Sequence, residues 1–549
     1  MTIFPARRSS RASSMVAMGI FWPPQKGFFI IAYPPSDYTM SRDTATKIAH
    51  QARSVTVAVI ISRVLGLVRE QVLAMLLGAG REMDAFVVAY RIPNLLRDLF
   101  AEGALGMAFT KVFSATRERE APEAAFRAAS EVITVFGCLI LSIVVLGEIL
   151  APVLVHLLAP AFRHFPGKFT LTVHLTRIMW PFLWFISLSA LAAGMLNALG
   201  IFFWPALSSA LFNLTSVLLG GGLYLFFGHL GWPGVMGFAL GVLCGGLVQL
   251  SFNLPFLLRR GFRFRPRLNH RSPAVRETLK LMGPSVLGLS AVQLNIFINT
   301  YFATSCGEGA VSWLAYAFRL MYVPLGLFGV GLSLALLPEA SRRAARGDYE
   351  TLRRTFSSSL LVGLGLSVPS AVGLATLAEP IVRLIFEHGR FRPEDTLHTA
   401  QALRIFALGL PFYSVTKVSV PIFYALGNTA IPAGASFLSV GVNLITILLT
   451  LSYLNFKAVA LGTALALIFQ ACFLGGILEL RIKDLFPGRF WVGLLKIILS
   501  AGTMGILALA LQKNLPVLPL ILLCALLFLG LIRILGPEEA LYFWKRLRP

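Results

Sequence analysis

The residues of this chain that could do chemistry are charges embedded in apolar sequence. One stretch reads Ser62-Arg63-Val64-Leu65-Gly66-Leu67-Val68-Arg69-Glu70. A second begins at Asp84 and carries Arg91, Asn94, Arg97, Asp98 and Glu102, and a third holds Ser312 and Arg319. An ionised side chain in the hydrocarbon of a bilayer is costly unless it faces a partner or a water-filled cavity. Arginine dominates the set, and its planar guanidinium grips phosphate oxygens in pairs. The chemistry expected is non-covalent capture of an anionic, phosphorylated cargo. Arg63 and Arg69 diverge by roughly 120° around a helix, so they border a broad cavity rather than one stripe. Arg91 and Asp98 share a face, which allows an ion pair within the helix, whereas Arg97 and Glu102 share one only loosely. Arg69 and Glu70 have partners on other helices open to them. The bland alternative is a set of structural ion pairs, or side chains that snorkel to the interface. Pro93, Gly103, Gly106 and Pro324 lie near the arginines and suit bends, although close helix packing explains the glycines equally well.

The elements that hold these residues follow from composition. Of 549 residues, 56% are apolar and 13% charged, with mean hydropathy +0.76. A soluble domain carries about 25% charged residues. Apolar runs of helix-spanning length recur along the chain, continuous rather than alternating, so the fold class is an all-α polytopic membrane protein and not a barrel. Fourteen spans are expected, near residues 54–78, 84–111, 128–158, 170–198, 201–228, 233–258, 274–304, 310–341, 354–377, 398–425, 429–452, 456–480, 489–511 and 516–536. The formal charge of +23 is carried largely by short loops. That pattern is the positive-inside signal and argues against nucleic acid as a partner. Arginine clusters at 259–276, 342–354 and 545–548 fall on one side with an even span count, which places both termini in the cytoplasm and the loop 387–395 opposite.

Ala89-Tyr90-Arg91-Ile92 resembles Ala317-Phe318-Arg319-Leu320, and at the same offset Phe100 matches Phe328 and Gly103 matches Gly331. Internal repeats of this kind build two lobes around a central site in transporters. The expected organisation is an extension (1–39), an N-lobe of six helices (40–258), a basic linker (259–280), a C-lobe (281–488), and two final helices with a basic terminus (489–549). Residues 1–39 lack a clean signal-peptide pattern, and Met40 is the expected natural start. Mass spectrometry of the native N-terminus checks this; any peptide from 1–39 overturns it. Cys138, Cys244, Cys306, Cys472 and Cys524 form no CxxC and read as small hydrophobes. No histidine pair has metal-site spacing, and no metal ligand set or cofactor motif is identified.

The stretches SRVLGLVRE (62–70), GAGREMDAFVVAYRIPNLLRDLFAEGAL (78–105), GPSVLGLSAVQLNIFINTYFAT (283–304), SWLAYAFRLMYVPLGLFGVGLSLALLPEAS (312–341) and LIFEHGRF (384–391) closely resemble the MurJ/MviN family. The resemblance runs from about Met40 to near the C-terminus. It implies a fourteen-helix, MATE-like fold with lobes of six and eight helices around a central cavity. It also implies a bacterial inner-membrane flippase that moves lipid II, undecaprenyl-diphosphate bearing disaccharide-pentapeptide, to the periplasmic leaflet by alternating access during peptidoglycan synthesis. The family's cavity arginines carry over as Arg63, Arg69, Arg97 and Arg319, and its span-two acid as Asp84. Glu70 stands where relatives often have Asp; Gly66, Asn94, Glu102 and Ser312 are expected supports or gating residues. The last two helices would border the lipid tail.

No GxxxxGK[ST] is present, so an ion gradient (Na+ or H+) or the membrane potential is the expected drive. Cell-wall synthesis machinery is a candidate partner. Alternatives are another polyprenyl-linked oligosaccharide flippase of the O-antigen type or a MATE-like antiporter. A cation exporter would favour an acid-dominated cavity. A membrane transferase would need an acidic metal cluster, which the sequence does not offer.

Overall fold

The computed structural model describes residues 42–535, and within its helices it leaves undescribed the side chains of 42–53, 100–103, 287, 326–332, 334, 335 and 535. The expected extension and the C-terminal basic cluster therefore lie outside the described residues. Every regular element among those described is helical. The first half comprises α1 (Arg42–Leu77), α2 (Arg81–Leu96), a π-wound segment (Arg97–Leu105), α3 (Gly106–Arg119), α4 (Pro122–Leu158), α5 (Lys168–Met179), α6 (Phe182–Ala198), α7 (Phe203–His229) and α8 (Val235–Arg259). The second comprises α9 (Pro273–Thr304), α10 (Ala310–Ala345), α11 (Tyr349–Thr376), α12 (Ala378–Phe386), α13 (Pro393–Ala425), α14 (Ala430–Leu454), α15 (Phe456–Arg481), α16 (Gly488–Leu511) and α17 (Val517–Leu535).

Each of the fourteen expected stretches coincides with helix. Ten are long and apolar enough to cross a membrane, and α9, whose halves meet at 50° just past Pro284, makes eleven. Among the described residues, α1 and the α2–α3 run, which carry most of the embedded charges, do not qualify, and the described apolar part of α10 is the shorter Ala310–Leu325. Span two is further broken in its backbone. Pro93 removes one amide, and residues 97–105 then wind as a π-helix, a wide form concentrated at functional sites. The short α12 was not anticipated. Starts are set by local chemistry: Pro122 opens α4 at a position where a missing amide costs nothing, and the Asp348 carboxylate caps α11 by accepting from the Thr351 amide at 3.1 Å.

Apolar burial falls into two clusters. One joins α1–α8 to both ends of α9, to α10, α12 and the start of α13, and to Phe456 and Val459 of α15. The other is confined to the second half, around Leu336, Phe356, Phe423, Leu478 and Phe490. The halves thus share one apolar core. Within the first half, α7 and α8 approach on glycine. A Cβ at Gly241 would stand 2.8 Å from Gly220 Cα, a backbone contact that cannot yield. Gly241→Val is expected to lower stability by about 1–3 kcal/mol through overpacking, read as a fall in melting temperature in detergent. Gly221→Ala, which points into open space, should leave it unchanged or slightly raised.

Candidate functional site

Asp84 is fully buried near the start of α2 and accepts four bonds. Lys168 Nζ, equally buried at the start of α5, lies 2.7 Å from Oδ2, and the Gly309 amide donates to the same oxygen at 2.8 Å. Ser312 donates to Oδ1 from its amide at 2.9 Å and its hydroxyl at 2.6 Å. Two aromatic faces complete the lysine's surroundings, Phe162 at 4.3 Å and Phe165 at 4.9 Å. Gly309 is at φ +87°, and a Cβ there would meet the Ala79 carbonyl at 2.7 Å, so only glycine brings the α10 start this close.

Further bonds close the same end. The Arg81 amide donates to Glu308 at 2.7 Å, Tyr316 Oη to the Gly78 carbonyl at 3.1 Å, and the Arg390 amide to the Met75 carbonyl at 2.8 Å. Each joins the α1–α2 turn to the second half. Asp84 and Ser312 stand 228 residues apart, the offset that aligns Arg91 with Arg319.

Along the same helices lies the arginine cluster. Glu70 Oε1 accepts from Arg69 and from Arg319, each at 2.9 Å, so one carboxylate ties α1 to α10. Arg69 is buried over the rings of Tyr90 (5.9 Å) and Phe212 (5.6 Å), and its Nε is buried without a partner among the described residues. Arg319 keeps 51% of its side chain exposed, so it is the member that a solute can reach. Arg91 donates to Thr300 Oγ1 on α9 and lies within the field of Arg319. The arrangement sets three cations against one carboxylate and leaves donor capacity unspent, which suits a multiply charged oxyanion.

A family model described as lipid II flippase MurJ matches residues 73–527. The chain belongs to the MurJ family. It is 38% identical to a probable lipid II flippase MurJ of Rhizobium meliloti, over 71% of this chain and 72% of that protein. With the probable lipid II flippase MurJ of Bdellovibrio bacteriovorus it shares 32% identity over 91% of this chain and 97% of the relative. Its fold matches a solved lipid II flippase MurJ in an inward closed conformation, at TM-score 0.74 and 28% identity, covering 87% and 98% of the two chains. An inward-facing MATE family multidrug transporter matches at TM-score 0.64 and 17% identity, covering 77% and 95%, a likeness of fold alone.

The remaining expected residues of this MurJ family member are placed as follows. Arg97 pairs with Asp98, Nη2 at 2.9 Å and Nε at 3.1 Å, and Asn94 donates to the same carboxylate at 3.3 Å. The expected Arg91–Asp98 pair does not form: π winding begins at Arg97 and turns Asp98 off the Arg91 face, and Arg91 goes to Thr300 instead. Arg63 is exposed, with no hydrogen bond or ion pair among the described residues. Gly66 faces α7, where a Cβ would make only ordinary contact with Asn213, and Asn213 donates to the Ser62 carbonyl at 3.1 Å. The Glu102 side chain lies outside the described residues. Arg69 and Arg319 are thus brought together through Glu70, while Arg63 is not joined to them.

Sequence reasoning missed Lys168, Glu308, Gly309 and Thr300. Lys168 sits at the edge of a span and looks like a boundary charge; its signal was the flanking Phe162, Phe165 and Phe169. Among the described residues, no three His, Cys, Asp or Glu side chains converge as metal ligands. A neutral knot does form where α9, α14 and α15 meet: Asn443 donates to Asn295 and, at 2.8 Å, to Asn299, which donates to Thr463 at 2.9 Å.

Removing one member of a buried ion pair strands the other. Asp84→Ala and Lys168→Ala are each expected to cost about 3–5 kcal/mol. The double variant should cost clearly less than their sum, measured as a double-mutant cycle on unfolding in detergent.

Proposed function

We propose that this chain is a lipid II flippase that carries undecaprenyl-diphosphate-linked peptidoglycan precursor from the cytoplasmic to the periplasmic leaflet of the bacterial inner membrane by alternating access. Membership of the MurJ family supports the cargo class. The single observation that carries the mechanism is the Arg69–Glu70–Arg319 bridge, a joint between the two halves made by groups a diphosphate would compete for.

On this reading the topology is the fourteen-span one, with lobes of six and eight helices and cytoplasmic termini. The Asp84 seal is then the periplasmic gate. Arg319, already half exposed, meets the diphosphate first. Exchanging Glu70 for phosphate oxygens on Arg319 and Arg69 loosens the tie between α1 and α10, and the lobes rock. Arg63, exposed and unpartnered, extends the cationic wall, and Arg97, held by Asp98, borders it. The prenyl tail stays in lipid against α16 and α17, whose outer faces carry Trp491, Leu499, Ile506, Leu522 and Leu526. Drive comes from an ion gradient, Na+ or H+, or from the membrane potential. The cluster's excess of cations disfavours a cation antiporter and leaves an O-antigen-type flippase as the nearer alternative.

The test is complementation. A bacterium depleted of its lipid II flippase is given this chain, and viability is followed together with periplasmic accessibility of lipid II. Rescue is expected, and Arg319→Ala and Arg69→Ala should abolish it at normal protein level. Glu70→Gln should impair it by leaving two arginines without their shared carboxylate. Rescue that survives the arginine changes would reduce them to structural ion pairs. No rescue from a correctly inserted protein would point to another cargo.

A further inference from the structure

An open cavity of about 590 Å³ is formed in the first half by α3, α6, α7 and α8, a volume within the range of small-ligand sites. No arginine lines it. Its polar wall is Ser189, Ser208, Asn197 and Gln249, its cation is Lys111 on the exposed face of α3, and most of the rest is small and apolar. Gln249 is only 9% exposed, and its side-chain amide, which still reaches the solvent of the cavity, makes no hydrogen bond among the described residues. Behind it, the fully buried Asn253 donates to Ser189 Oγ at 3.2 Å, to Ser208 Oγ at 3.4 Å and to the Gln249 carbonyl at 3.1 Å, while its own Oδ1 is unspent. Ser208 passes its proton to the Pro205 carbonyl at 2.7 Å. Ser189 passes its proton to no acceptor among the described residues and so has it free for a ligand. Buried amides and hydroxyls with unused capacity are costly unless something answers them.

We propose that this cavity is a subsite for an uncharged, hydroxyl- and amide-bearing group, the N-acetylated saccharide of the lipid-linked headgroup. This rests on the flippase reading above. A phosphate is the wrong occupant, because one peripheral lysine cannot neutralise it. A bare alkyl chain is also wrong, because it would leave the Gln249 amide and the Ser189 hydroxyl dry. An amino sugar offers hydroxyls and an acetamide to the polar wall and a flat apolar face to Ile186 and Ala190. The position fits a headgroup held by its diphosphate. Arg69 packs over Phe212 of α7, and the pocket residues Ser208 and Ser209 lie one turn before Phe212, about 5–6 Å along the helix axis.

The experiment measures binding of two probes, undecaprenyl diphosphate and lipid II, to the purified full chain in nanodiscs by native mass spectrometry. The unmodified chain should bind lipid II more tightly than undecaprenyl diphosphate. Gln249→Leu, close in shape, and Asn197→Leu should each weaken lipid II about tenfold or more and leave undecaprenyl diphosphate unchanged. Ser209→Phe, which fills the cavity from its partly exposed side, should do the same. Equal weakening of both probes, or no change in either, overturns the proposal, as does equal affinity of the unmodified chain for the two. Arg319→Ala separates the two readings, since it should weaken both probes. If it weakens neither, the arginine-cavity reading fails whatever the pocket variants do.

Discussion

A carboxylate with no access to water must be answered from within the protein, and Asp84 is where that demand shapes this fold. Its charge is met by a lysine equally cut off from solvent, and its remaining lone pairs by two amides and a hydroxyl. Those donors come from α5 in the first half and from the start of α10 in the second. One side chain therefore fixes where the halves meet. The glycine at 309 follows from this, since any Cβ would hold α10 off the Ala79 carbonyl. So do the extra donors, because an ion pair in a dry interior is tolerated only when its geometry is good and its remaining lone pairs are hydrogen-bonded.

The same energetics explain why the most informative helices are the least convincing as membrane spans. Ten helices qualify on length and apolarity, while among the described residues α1 and the α2–α3 run do not. Their charges interrupt the apolar sequence, and those charges are tolerable because they face partners. Glu70 offsets Arg69 and Arg319, Asp98 offsets Arg97, and Asp84 offsets Lys168. A bilayer-facing helix has no such option, and α4, α16 and α17 accordingly present leucine, isoleucine and valine outward.

The helical class and the location of nearly every helix were legible in the sequence, because apolar runs of spanning length have few other readings. The arginines were legible as costly residues. Their pairing was not. Spacing on an ideal helix allowed Arg91 to pair with Asp98, but the backbone is π-wound from Arg97, and neither Pro93 nor Gly103 announces where that winding starts. Lys168 was invisible for a different reason: a charge next to a turn reads as a solvated boundary, and only the tertiary fold brings Phe162 and Phe165 over it. The Glu70 bridge joins residues 249 apart, a contact that no local periodicity encodes.

The weak repeat gains meaning from the bonds made at its offset. Asp84 and Ser312 occupy equivalent positions and touch each other, as Arg91 and Arg319 occupy equivalent positions and feel each other's charge. Residues that meet their own counterparts lie at the axis relating two halves. A contact on such an axis belongs equally to both lobes, so a rocking motion cannot carry it along with either one; it has to break or persist. A neutral hydrogen bond there would break too readily to hold a closed state. A bare ion pair between the lobes would leave two charges dry when it opened. Here the ion pair stays within the first half, Asp84 with Lys168, and the second half contributes only neutral donors. The contact between the halves can therefore part without stranding a buried charge, which is what the alternating-access reading proposed above would need of it.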